Sequence, residues 1–134
     1  MTTSPSPRQH IASLALVVPD YDAAIAFYAG RLGFDLVEDT PLGGGKRWVL
    51  VSPPGGETRL LLAEAADERQ RAAIGNQTGG RVFLLLATDD FARDHRRYLE
   101  NGVQFLEEPR HEAYGVVAVF TDPFGNKWDL IEHR

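Results

Sequence analysis

Asp122-Pro-Phe-Gly-Asn-Lys-Trp-Asp-Leu-Ile-Glu132 reads as a tight turn feeding a β-strand. Asp122 suits the first position of a type I turn, Pro123 the second and Gly125 the fourth. Beyond the turn the side chains alternate. Trp128 and Leu130 point to one face, and Lys127, Asp129 and Ile131 to the other. Asp129 is thus a carboxylate carried on a strand, on the face opposite Trp128. Whether it has partners of ligand type decides much of the functional reading.

Working outward, the same landmarks recur. Asp20 and Asp89, Gly33 and Gly102, Pro54 and Pro123, and Gly56 and Gly125 are each 69 residues apart. Such a repeat constrains the fold more tightly than local propensity. The first half starts with a strand over 11–18, with Leu14, Leu16 and Val18 on one face and Ser13, Ala15 and Val17 on the other. Asp20 caps a helix carrying Tyr21, Ile25, Tyr28 and Leu32, which Gly33 ends. Strands are predicted over 34–39, 46–51 and 58–63, with a loop over 41–45. The second half predicts a strand over 82–87 and a helix capped by Asp89 or Asp90. A strand over 103–107, a loop, a strand over 115–121 and the last strand follow. The intervening 64–80 reads as a short surface helix ending near Gly75, then loop. Each half is strand-helix-strand-strand-strand. One sheet face is covered by the helix, and the other needs a second sheet or a ligand.

The composition excludes several classes of function. A net charge of -5 leaves no basic excess for phosphate-backbone binding, so no nucleic-acid partner is expected. With no cysteine there is no disulfide, thiolate nucleophile, Cys-zinc site or iron–sulfur cluster. No apolar run approaches the ~20 residues of a membrane span. Residues 1–9, rich in Ser, Thr and Pro, read as a disordered tail without the apolar core of a signal peptide. A cytoplasmic protein is expected, with module one over 10–64, a linker over 65–80 and module two over 81–134 in a single domain.

The stretches Val18-Pro-Asp-Tyr-Asp-Ala-Ala-Ile-Ala-Phe-Tyr28, Leu32-Gly-Phe34, Asn101-Gly-Val103 and Asp122 to Ile131 come in a fixed order. In these the chain resembles the vicinal oxygen chelate superfamily, which includes glyoxalase I, bleomycin-resistance proteins and extradiol dioxygenases. The resemblance implies an α+β fold of tandem βαβββ modules, with two cupped mixed sheets forming a cavity, and often a homodimer. It covers nearly the whole chain from Ile11. It fixes function poorly, because the fold hosts unrelated chemistries.

Metal-binding members of the superfamily carry ligands on the first and last strands of each module. Carried over by the 69-residue register, these positions fall on Ser13, Leu60, Val82 and Asp129, or on Phe83 in place of Val82 if the helix slips by one. Only Asp129 matches a ligand type, and one carboxylate does not hold a divalent ion that needs three or four protein ligands. No metal or other cofactor is therefore expected. The other histidines are the remaining possible ligands. His10 falls out of phase with Ser13, His95 sits on the second helix, and His133 closes the chain. His111, in the loop before the strand at 115–121, and Asp129 are the candidates for an acid/base couple.

Ser13, Trp48, Leu60, Phe83, Tyr114 and Asp129 are the expected ligand-binding residues. For Asp129, pairing with Lys127, Arg47 or Arg59 is the structural alternative, and for Trp48 and Phe83 it is core packing. The leading expectation is a metal-free protein binding a small apolar or aromatic molecule in the sheet cavity. Two alternatives stand beside it. One is a lyase, isomerase or dioxygenase using a divalent metal held by Asp129 with His111 or His10. The other is a non-catalytic assembly subunit.

Overall fold

The computed structural model describes residues 6–134; the expected tail therefore lies outside the described residues over 1–5. Module one comprises β1 (Ser13–Val18), α1 (Tyr21–Ile25) running into a π-helical turn (Ala26–Arg31), β2 (Asp35–Gly43), β3 (Lys46–Ser52) and β4 (Arg59–Glu64). After α2 (Glu68–Ala73) come β5 (Leu84–Ala87), α3 (Phe91–Glu100), β6 (Gln104–Phe105), β7 (Arg110–Glu112), β8 (Gly115–Thr121) and β9 (Lys127–His133). Two mixed sheets result. One has the order β1-β4-β3-β2. The other has the order β5-β9-β8-β6, with β7 also paired to β8. Among the described residues the parallel pairs are β1 with β4 and β5 with β9, the crossovers spanned by a module.

Two segments read as loop are strand. The hairpin glycines confine the turn after β2 to 44–45, so β2 extends to Gly43. Residues 110–112, including His111, form the edge strand β7. Conversely, the strand expected over 103–107 pairs only over Gln104–Phe105.

The 69-residue register is not constant. Asp20 caps α1 through the amides of Asp22 and Ala23. Its counterpart is Asp90, which accepts from the Arg93 amide at 3.1 Å. The cap-to-cap offset is therefore 70, while Gly33 and Gly102 stay 69 apart. The extra residue in the first helix is taken up by its π turn, where the Leu32 amide reaches back five residues to the Phe27 carbonyl at 3.0 Å. A second single-residue insertion precedes β4. Leu14 pairs with Leu60, and Leu84 with Trp128, so the last strands align at an offset of 68. The counterpart of Asp129 is thus Leu61, and that of Ser13 is Phe83.

Alternation along β1, β4, β5 and β9 buries Leu16, Val18, Leu60, Leu62, Trp128 and Leu130 beneath the helices in one cluster shared by both modules. A polar network crosses the junction. Tyr28 donates to Asp122 Oδ2 at 2.6 Å and accepts from Trp128 Nε1 at 3.2 Å. Asp122 also receives the amides of Phe124 and Asn126, each at 2.9 Å, and Asn126 Nδ2 at 2.7 Å. The turn that opened the sequence reading therefore holds the first helix to the last strand. Gly75 (φ +71°) lies flat on this turn, where an added Cβ would sit 2.1 Å from the Phe124 carbonyl oxygen. Just beyond it, the Gln77 side chain bonds both the amide and the carbonyl of Val17, closing part of the free edge of β1.

Candidate functional site on the open sheet faces

Each sheet has a face that no helix covers. On the first, Ser13, Ala15, Leu50, Leu61 and Trp48 project together, as the pairings Ala15 with Leu61 and Leu61 with Leu50 require. On the second, Leu85, Asp129 and Val119 stand in one row and Ala87, Ile131 and Val117 in the next. Leu85 is 63% exposed and Trp48 39% exposed. Each face carries a shallow cavity, about 260 Å³ beside Trp48 and Leu61, and about 270 Å³ beside Val119 and Lys127.

Asp129 is the charged group set among the aliphatic side chains of the second face. Its Oδ1 is shielded from solvent and has no hydrogen-bond partner. Desolvation lifts its carboxyl above the usual carboxylate range; Arg110 pulls it back, and Glu107 pushes it up. None of the three expected ion partners reaches it. Arg47 is committed to Asp22 at 2.9 Å and Asp39 at 2.7 Å, and among the described residues neither Lys127 nor Arg59 forms an ion pair.

Several sequence expectations need correction. Leu60 lies in the core, 3% exposed, because the insertion before β4 turns it to the helix side and puts Leu61 on the open face. His111 and Asp129 do not meet. His111 is in register with Val116, which alternates with Val117, so it shares the face of Trp128 and Leu130. Phe83 occupies the position equivalent to Ser13, yet its ring stands edge-on to Trp128 at 6.4 Å and packs against the core. Tyr114 is exposed at the tip of the β7–β8 hairpin. Ser13 and Trp48 face the open side. His95 stacks on Phe91, and His10 and His133 are exposed. Leu61 and Leu85 were missed as open-face residues; the helix-cap offset of 70 was the signal that the register drifts.

A profile of the Glyoxalase/Bleomycin resistance protein/Dioxygenase superfamily matches residues 10–130. The chain belongs to this superfamily. A Shewanella frigidimarina protein described as uncharacterized is 54% identical over 127 residues, covering 93% of this chain and 94% of its own. A solved antibiotic-binding protein, TnmS3 from Streptomyces sp. CB03234, is 32% identical with a TM-score of 0.77, covering 97% of this chain and 100% of its own. A superfamily member from Sphaerobacter thermophilus is 30% identical with a TM-score of 0.78, covering 94% and 98%.

The superfamily's metal sites draw on the four equivalent positions, here Ser13, Leu61, Phe83 and Asp129. Leucine and phenylalanine have no lone pair, and a neutral hydroxyl is a poor divalent ligand. Among the described residues no three His, Asp or Glu side chains gather as a ligand set. The residues present do not fit a resident divalent ion. Among the described residues no helix is long and apolar enough to cross a membrane.

Proposed function

We propose that this protein binds a small aromatic or apolar organic molecule, without a metal, in a cup lined by the open faces of its two sheets. The observation that carries this reading is the side-chain set at the four superfamily ligand positions, which trades donor atoms for apolar surface around one carboxylate. A mostly apolar lining with a few polar groups, Ser13 and Asp129 among them, suits a flat organic ligand. TnmS3, described as an antibiotic-binding protein, supports the reading to the extent of a ligand-binding role.

On these faces Leu85, Ala87 and Ala15 are exposed in one chain, while Leu50, Val117 and Ile131 are already buried within it. A second copy completes the cup in this reading, so the binding unit is a homodimer. Titrating planar aromatic antibiotics while following Trp48 fluorescence tests the proposal, with Trp128 replaced by Phe to silence the buried indole. Saturable quenching that Leu61→Glu weakens at least tenfold is the expected result. An absence of binding across polycyclic and monocyclic aromatics, or binding indifferent to Leu61→Glu, rejects it.

A further inference from the structure

A second cavity lies away from the Ser13, Leu61 and Asp129 positions. It is a groove of about 530 Å³ between the end of the first helix, the Pro53–Pro54 turn and one face of α3. That volume is in the range of small-molecule sites. Buried Leu32 and Phe34 give it apolar lining.

Three observations mark the groove as more than a seam. Tyr98 lines it, a residue only 6% exposed whose hydroxyl is open to solvent and bonds no other side chain or backbone group among the described residues. Next to it, Arg97 lines the groove and forms no ion pair among the described residues, and Arg31 is engaged only with the Gly102 carbonyl, at 3.3 Å. Asp89 and Asp94 share one cation, each holding Arg93 at 2.9 Å, so the three arginines of the lining exceed its two carboxylates by one. Among the described residues, the donors that no side chain bonds therefore lie at Arg31, Arg97 and Tyr98, with the Asp94 carboxylate within electrostatic reach of the last two.

The geometry points to a second ligand site in this groove, one that takes a small aromatic carboxylate. The carboxylate is held by the Arg97 and Arg31 guanidiniums and the Tyr98 hydroxyl, and the ring lies along the apolar lining. Guanidinium forks suit a carboxylate, and a phenol adds a charge-assisted bond. The groove meets the open face at Ala87, but its proposed anchors Arg31, Arg97 and Tyr98 are not among the residues placed in the cup.

The test is a titration of the ¹⁵N-labelled protein with 2-naphthoate, with its neutral isostere 2-naphthamide run in parallel. Naphthoate is expected to shift the amides of Leu86 to Asp89 and Arg97 to Asn101. Naphthamide is expected to bind there at least tenfold more weakly. Arg97→Glu, a change at an exposed position, should weaken naphthoate at least tenfold, and Tyr98→Phe about tenfold, the loss of one charge-assisted hydrogen bond. Trp48→Ala should change nothing in the groove. Shifts confined to the open faces, equal affinity for the two probes, indifference to both groove variants, or no binding of naphthoate would each overturn the assignment.

Discussion

Replacing Tyr28 with Phe removes one oxygen and leaves the ring in place among Phe27, Phe34 and Trp128. That oxygen carries two bonds. It donates to the buried Asp122 carboxylate, and it is the acceptor for the Trp128 indole N–H. Asp122 keeps three other donors, so the variant does not strand a bare charge. It does lose a charge-assisted bond, and it leaves an indole N–H without a partner at a residue 2% exposed. Together these are expected to cost about 2–3 kcal/mol. For a chain of this length that is a fall of roughly 6–12 °C in Tm. Urea unfolding, followed by circular dichroism and by fluorescence, measures it. The midpoint should fall with an unchanged slope, and the two probes should still coincide because the network joins both modules. A loss under about 0.5 kcal/mol would refute the claim that this network holds the first helix to the last strand. So would the modules unfolding separately in the wild type.

Three further outcomes follow from particular residues. Gly75→Ala should destabilise by at least about 2 kcal/mol in the same urea experiment, since a Cβ there meets the Phe124 carbonyl at 2.1 Å in a left-handed backbone. Asp129→Asn should raise the Tm at pH 7 and have little effect near pH 3. Its carboxyl is raised by desolvation, so its stabilising contribution is present at low pH and is lost as pH rises through its folded pKa; an unchanged Tm at pH 7 would contradict this. Asp94 runs the other way. Burial pushes its carboxyl up, but bonds from Arg93 and Thr88 outweigh this and hold it below the usual range. Its stabilisation is present above pH ~4 and is lost as pH falls through its lowered folded pKa. Asp94→Asn should flatten the acid side of a Tm-against-pH curve, and a slope identical to the wild type would count against the pairing.

Much of this architecture was legible in the sequence because the duplication supplied two readings of each element. The caps at Asp20 and Asp90, the helix-ending glycines, the turn at Asp122 and the facing of β9 all rest on local chemistry that repeats. What failed was register. A π turn and one residue before β4 cost nothing visible in composition, yet each shifts an alternating strand and turns every side chain over. That is why Leu60 went to the core and Leu61 to the open face. His111 was misread for a related reason. Arg110-His-Glu is too short and polar to announce a strand, and only its pairing with β8 fixes the face on which the imidazole lies. The role of Asp122 beyond its turn was hidden because its partner, Tyr28, is 94 residues away. The groove at Tyr98 was invisible for the same reason, since it is assembled from segments of both modules.

The metal-free reading of the cup is tested most directly by purifying the untagged protein, measuring its metal content, and repeating the aromatic-ligand titration before and after exhaustive chelation. The account predicts a substoichiometric metal content and a ligand affinity that chelation leaves unchanged in the wild type. A divalent ion at one per chain, removed by chelator together with ligand binding and absent from Asp129→Ala, would contradict it.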